Sequence, residues 1–317
     1  MVELKHRQID TNGIRMHIAE AGEGPLVVLC HGFPESWYSW RHQLVALAEA
    51  GFHAVAPDQR GYGQTDAPEA IDTYTQLHLV GDIVGLLDAL GEETAVVAGH
   101  DWGAPVAWNC ALLRPDRFRA VIGMSVPFGL RGPVAPTQAM KAAFGDNFFY
   151  ILYFQTPGVA EHELRKDVRL SVRSLLYSAS GDIPPALPTA RPNTATFLDG
   201  LTDPAKLPGW LTEADVDYFT AEFERTGFRG GLNWYRNMDR SWELMGPWAG
   251  AKVTVPALFI AGERDVVVAM NPQAVTGLRE TVPNLRQTVM LPGCGHWTQQ
   301  ERPAEVNKAM IEFLRDL

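Results

Sequence analysis

The chain has little cysteine: three residues in 317, Cys30, Cys110 and Cys294. An odd count with each thiol in an apolar or glycine-rich run excludes a disulfide scaffold and fits reduced thiols in the cytoplasm. Cys294 lies two residues before a histidine, but nothing near it in sequence would lower its pKa, so it is not read as a nucleophile. No apolar run of about 18 residues is present, so a transmembrane helix is not expected. The start, MVELKHRQID, lacks the apolar stretch of a secretory signal. Positive charge is also short. Lys and Arg number 27 against 37 Asp and Glu, a formal net charge of −10. That balance argues against nucleic acid and anionic membrane surfaces as partners. The nine histidines include no pair at i, i+4, and no cysteine cluster joins them, so no metal site is expected. Gly61-Tyr62-Gly63 follows a strand-like run but lacks the third glycine of a dinucleotide fingerprint, which leaves it as a loop.

What is present is alternation. Runs rich in Val, Ile and Leu at 25–32, 52–61, 94–100 and 119–127 read as strands. Between them, 36–51, 75–91 and 103–115 read as helices, the first closed by Gly51 and the second with apolar residues at three-to-four spacing. The pattern predicts an α/β fold, a mostly parallel sheet covered by helices on both faces. It breaks between 128 and 247, where the sequence is helical, aromatic and irregular. There, 180–210 reads as a loop because its prolines forbid regular structure, and Thr212 with Asp215 and Gly227 frames a helix. Strand-like runs return at 255–265 and 286–297. The simplest organisation is a core of 1–127 and 248–317 interrupted by a helical cap of 128–247, without repeats.

In a parallel sheet, ligands sit beyond the carboxyl ends of the strands. Those ends carry His31-Gly32-Phe33-Pro34, Asp101, Asp265 and His296. Gly99-His100-Asp101-Trp102-Gly103 has the frame of a nucleophile elbow with aspartate in place of serine. The order nucleophile, acid, histidine follows along the chain. An aspartate, with a reference pKa of about 3.9, is ionised at neutral pH and attacks saturated carbon without a base. The product is an ester, which water can open at its carbonyl; serine would leave an ether, which water could not. His296 is then expected to activate that water and Asp265 to orient His296. The N–H groups of Phe33 and Trp102 would form the oxyanion hole. The leaving group is an epoxide oxygen or a halide. Glu35 and His100 lie beside these residues and are expected to pack or support.

At these residues the chain resembles the epoxide hydrolases of the α/β-hydrolase fold, over nearly its whole length. The segments HGFPESWYSWRHQ (31–43), PDQRGYGQTDAP (57–68), GHDWGAPVAW (99–108), YFQTPGVAE (153–161), NWYRN (233–237) and GCGHWTQQERP (293–303) carry the resemblance. It is greatest to the C-terminal hydrolase domain of soluble epoxide hydrolases. It implies two cap tyrosines holding the epoxide oxygen, Tyr150 and Tyr235, and a cis Phe33–Pro34 bond. It places His31, Pro34, Trp102 and Trp234 along the substrate. It implies no cofactor, a small-molecule epoxide and water as the reactants, and a monomer or homodimer. Chemistry agrees on the tyrosines, because ring opening leaves an alkoxide that needs a donor and then a proton, and phenols supply both. Dehalogenases of this fold use a Trp beside the nucleophile and an Asn or second Trp. Trp102 fits that pattern too, Phe33 in place of Asn weighs against it, and Trp234 keeps it open as the second halide donor. A non-catalytic binding protein has no need of a complete triad.

Overall fold

The computed structural model describes residues 2–183 and 190–317. Eight strands form one sheet in the order β1-β2-β4-β3-β5-β6-β7-β8. They are β1 (Lys5–Thr11), β2 (Ile14–Ala21), β3 (Leu26–Cys30), β4 (His53–Pro57), β5 (Ala95–His100), β6 (Phe118–Met124), β7 (Ala257–Gly262) and β8 (Leu285–Leu291). Strands β3 to β8 pair in parallel, as the alternation predicts. The hairpin β1–β2 was not anticipated and extends the sheet antiparallel at β4. Its signal was there to be read: Asn12-Gly13, both at positive φ, make the tight turn that suits twisted strands.

The inner strands are buried from end to end because helices cover both faces. Successive residues therefore serve different cores. Leu26, Val28 and Cys30 point to one, and Val27 and Leu29 to the other with Trp40, Leu44 and Phe313. Helices Arg41–Glu49 and Pro303–Arg315 lie on that second face. Gln76–Leu90 and Gly103–Leu113 cover the first.

Between β6 and β7 none of the described residues joins the sheet. The intervening stretch carries helices that include Pro136–Phe144, Tyr150–Tyr153, Val168–Ser178, Glu213–Thr226 and Arg229–Arg236. Thr212 caps Glu213–Thr226 as expected. Its hydroxyl accepts from the Asp215 N–H, and the Asp215 carboxylate accepts from the Thr212 N–H at 2.8 Å. Of the expected 180–210 loop, 190–197 and 201–210 are free of helix, and Leu198–Gly200 makes one short turn. Pro184, Pro185 and Pro188 lie outside the described residues.

Candidate active site

Asp101 stands on the turn between β5 and helix Gly103–Leu113, at a φ of 50°. A non-glycine residue in that region costs roughly 1–3 kcal/mol and persists only when its surroundings enforce it. Here the neighbours do. A Cβ on Gly99 would land on the Gly103 carbonyl oxygen, and one on Gly103 on the Cys30 carbonyl. A Cβ on Gly32 would strike the Asp101 side chain itself. The three glycines let strand, turn and the His31–Pro34 loop close on one another, which thrusts the carboxylate outward.

That carboxylate is held on one side. Its Oδ1 accepts from the Phe33 N–H at 2.8 Å, and the Phe33–Pro34 bond is cis, as the resemblance implies. Trp102 is the N-cap of the following helix, where backbone N–H groups lack intrahelical partners. The His296 Nε2 is 3.4 Å from Oδ2, and its Nδ1 faces Asp265 Oδ1 at 3.0 Å. Asp265 is buried at the start of helix Val266–Met270, and the same Oδ1 accepts from the Val267 N–H at 2.9 Å. Burial opposes a charge on His296. The Asp265 and Asp101 carboxylates outweigh it, and the imidazole pKa is raised well above its ordinary value.

The loop bearing His296 is pinned from both the sheet and the inserted helices. The His296 N–H donates to the Ala179 carbonyl at 2.8 Å, and the Trp297 indole N–H to the Leu176 carbonyl at 2.7 Å. The His296 carbonyl accepts from His100 Nε2 at 2.7 Å and from the Ser125 hydroxyl at 3.0 Å. Buried Glu301 accepts from the N–H groups of Gly181, Gly295 and Trp297. Glu35 does the same work under the other loop. Its carboxylate accepts from the Gly32 N–H at 2.8 Å, from His100 Nδ1 at 2.9 Å and from the Gln299 and Gln300 amides. Burial would push its pKa up; His100 and these donors hold it down at about 2. Glu35 and His100 are therefore supports, as expected. Ser125 and Glu301 were missed.

Opposite Asp101 stand Tyr150 and Tyr235, their ring centroids 6.1 Å apart and nearly perpendicular. Tyr235 packs on Trp102 at 5.0 Å and on Phe33 at 5.7 Å. Burial, then the Asp101 charge, raise both phenol pKa values, so both keep their hydrogen. Two cavities, of about 480 and 280 Å³, meet at Asp101, Tyr150 and Tyr235. The larger runs past Trp102, Trp108, Leu112 and Phe128, and the smaller past Phe33, Phe154, Phe197 and His296.

Of the expected substrate contacts, His31 and Pro34 stand away from the cavities, and Trp234 lines one without a free donor. His31 is fully buried: its Nδ1 faces the Gly32 carbonyl and its Nε2 accepts from the Gln59 N–H at 3.0 Å. It shapes the loop from beneath. Pro34 is buried and lines neither cavity. Trp234 does line the larger cavity, but its indole N–H donates to the Arg60 carbonyl at 3.1 Å, so it presents a ring and no free donor. Cys294 is buried, and burial pushes its thiol pKa up, which suits an inert side chain.

A family model described as the alpha/beta hydrolase fold matches residues 25–199. The chain is 50% identical to epoxide hydrolase A of Mycobacterium tuberculosis, over 98% of this chain and 97% of that protein. It is 45% identical to epoxide hydrolase 3 of Siraitia grosvenorii, over 99% of each. The crystal structure of epoxide hydrolase A from Mycobacterium thermoresistibile superposes with a TM-score of 0.94 at 53% identity, covering 99% of this chain and 98% of that one.

Proposed function

The chain belongs to the α/β-hydrolase fold family and, within it, to the epoxide hydrolases, and from that premise we propose that it opens oxiranes through an alkyl ester on Asp101. One observation carries the mechanism. The carboxylate has backbone N–H and His296 on one side, and two phenols across the cavity on the other.

The first step is displacement. Phe33 N–H holds Oδ1, which leaves Oδ2 to attack an oxirane carbon. The carbon–oxygen bond breaks and its electron pair goes to the ring oxygen. Tyr150 and Tyr235 both hydrogen-bond that oxygen, and one of them gives it a proton. Their raised pKa values do not prevent this, because an alkoxide is a base about as strong as hydroxide and takes a phenol's proton.

The second step is ester hydrolysis. With Asp101 esterified, one of the two carboxylate charges that hold the His296 proton has gone. His296 loses its proton more readily and becomes the base that the step needs. It takes a proton from water, which attacks the ester carbonyl carbon. The oxyanion that forms is Oδ1, already beside the Phe33 N–H and with Trp102 N–H at hand. Collapse expels the diol oxygen, which takes the proton from His296. Collapse leaves Asp101 as its neutral acid; that acid gives its proton to solvent while the phenolate takes one from solvent, and Asp101 returns as a carboxylate.

Residues 128–247 act as a lid that carries the two phenols over the strand ends. The free thiols support a cytoplasmic setting, and the enzyme works without a cofactor as a monomer or homodimer. Halide displacement is the weaker reading, since Phe33 replaces the Asn of that pattern and the Trp234 N–H is engaged. Parallel assays with an aryl epoxide, an aliphatic epoxide and a haloalkane, following diol and halide, decide between them. Diol without halide is expected. Halide without diol overturns the reading.

A further inference from the structure

The larger cavity has two charged side chains in its wall among the described residues, Asp101 and Arg131. Arg131 follows β6 in the stretch that opens the insertion. Its guanidinium lies over the Trp242 ring, 3.7 Å from the centroid, and its Nε donates to the Trp242 carbonyl at 2.8 Å. Trp242 is itself fixed, its indole N–H donating to the Gly132 carbonyl at 2.8 Å. The cation is thus held in place by its stem and one face. Among the described residues no carboxylate lies within ion-pair distance of it, and its two terminal nitrogens make no hydrogen bond to protein. Arg191, in the wall of the smaller cavity, differs: its Nη1 already donates to the Thr196 carbonyl at 3.0 Å.

Arg131 is half-buried in this wall, and the large hydrophobic side chains that the wall exposes to solvent share the cavity with it. Leu130, Trp248 and Met270 are large hydrophobic side chains exposed at 43%, 37% and 36%, and all three line this cavity. The wall from mouth to nucleophile is mainly apolar, with Phe128, Trp108 and Leu112 along it. An oriented, unpaired guanidinium at the rim of an apolar channel, in a chain of net charge −10, selects one shape of ligand. That ligand has an anionic end, a hydrocarbon span and a reactive group beyond it. The planar fork matches a carboxylate with two parallel hydrogen bonds.

We infer that Arg131 is a specificity-determining residue that anchors the carboxylate of an amphiphilic epoxide, whose chain lies along the larger cavity and whose oxirane reaches Asp101. This rests on the epoxide-opening reading of Asp101. It adds to that reading a chemical class of substrate and an orientation, acid outward and oxirane inward.

The test is a homologous series of terminal-epoxy carboxylic acids, each paired with its methyl ester and assayed beside styrene oxide. Wild type, Arg131→Gln and Arg131→Lys are compared. In wild type the acid should exceed its ester in kcat/KM by about tenfold, mostly through KM, as befits one charge-assisted pair at a partly wet rim. The advantage should be absent for short chains and emerge once the chain spans the distance from Asp101 to Arg131. Added salt should shrink it. Arg131→Gln should bring the ratio to about one, and Arg131→Lys should retain part of it. A ratio of about one in wild type at every length, with styrene oxide turned over, overturns the inference alone. So does a ratio equal in wild type and Arg131→Gln. Failure of folded wild type to turn over styrene oxide, acid or ester overturns the epoxide reading and this one with it.

Discussion

Asp101, Asp265 and His296 sit in a lattice of hydrogen bonds, whereas Tyr150 and Tyr235 sit in a nest of aromatic rings. On the sheet side, the chain closes tightly around Asp101 at Gly99, Gly103 and Gly32, and Glu35, His100, Ser125 and Glu301 fix the two loops around it. On the inserted side, Phe154 packs against both phenols, at 5.6 Å from Tyr150 and 5.1 Å from Tyr235. Hydrogen bonds define a position sharply; ring packing tolerates adjustment. Under the proposed mechanism the sheet side must meet one geometry, that of attack and of the oxyanion. The inserted side would then hold one oxygen while accepting different substituents, and softer packing suits that task. The two sides should therefore fail differently.

The sheet side should fail outright. Asp101→Ala removes the attacking atom and should reduce turnover by at least ~10⁴-fold, measured as diol formation. Residual activity within tenfold of wild type would mean that another group attacks. His296→Gln should split the reaction, lowering kcat by about 10²–10⁴ while alkylation continues. Mixed with a good epoxide, the variant should gain the mass of one substrate molecule, mapped to Asp101, and a variant that stays unmodified would refute the division of labour.

The inserted side should fail by degrees. Tyr150→Phe or Tyr235→Phe alone leaves one donor on the oxygen, and each should lose at the low end of the ~10²–10³ typical of such a donor. The double change should abolish ring opening. A folded double variant at wild-type rate would remove both phenols from the mechanism.

The charge coupling predicts a pH effect. In the free enzyme two carboxylates raise the His296 pKa; in the ester one remains. The acid limb of kcat, which reports deprotonation of His296 in the ester, should fall at lower pH than the His296 titration of the free enzyme followed by NMR. Coincident values would mean that Asp101 contributes nothing to the shift. The smallest effect expected is structural. Thr212→Ala removes the cap of helix Glu213–Thr226 and should cost about 1 kcal/mol in denaturant unfolding, with little change in turnover.

The same contrast decides which parts of the site are legible in the sequence. The elbow was legible because its glycines are demanded by local geometry, and its spacing is short and unbroken from Gly99 to Gly103. Asp265 and His296 followed from strand ends. The tyrosines lie 85 residues apart in an aromatic stretch, and only the family resemblance singled them out. Glu301 and Ser125 act through backbone groups brought together by folding, so no spacing announces them. Gly181 and Gly295 were a faint sign, since each backbone leaves no room for a side chain on the other. His31 and Pro34, expected along the substrate, and Trp234, open as a halide donor, fall short of those parts for a related reason. The motif gives their place in the chain, but burial and a single hydrogen bond decide which way each one faces.

One measurement addresses the centre of the account. Enzyme in excess over a good epoxide, in oxygen-18 water, completes a single turnover, and mass spectrometry then locates the label. If Asp101 forms the ester and water attacks its carbonyl, the label enters the Asp101 carboxylate and the first diol carries none. Label in that first diol would mean that water attacks the oxirane directly, with Asp101 as a base, and the covalent mechanism would be wrong.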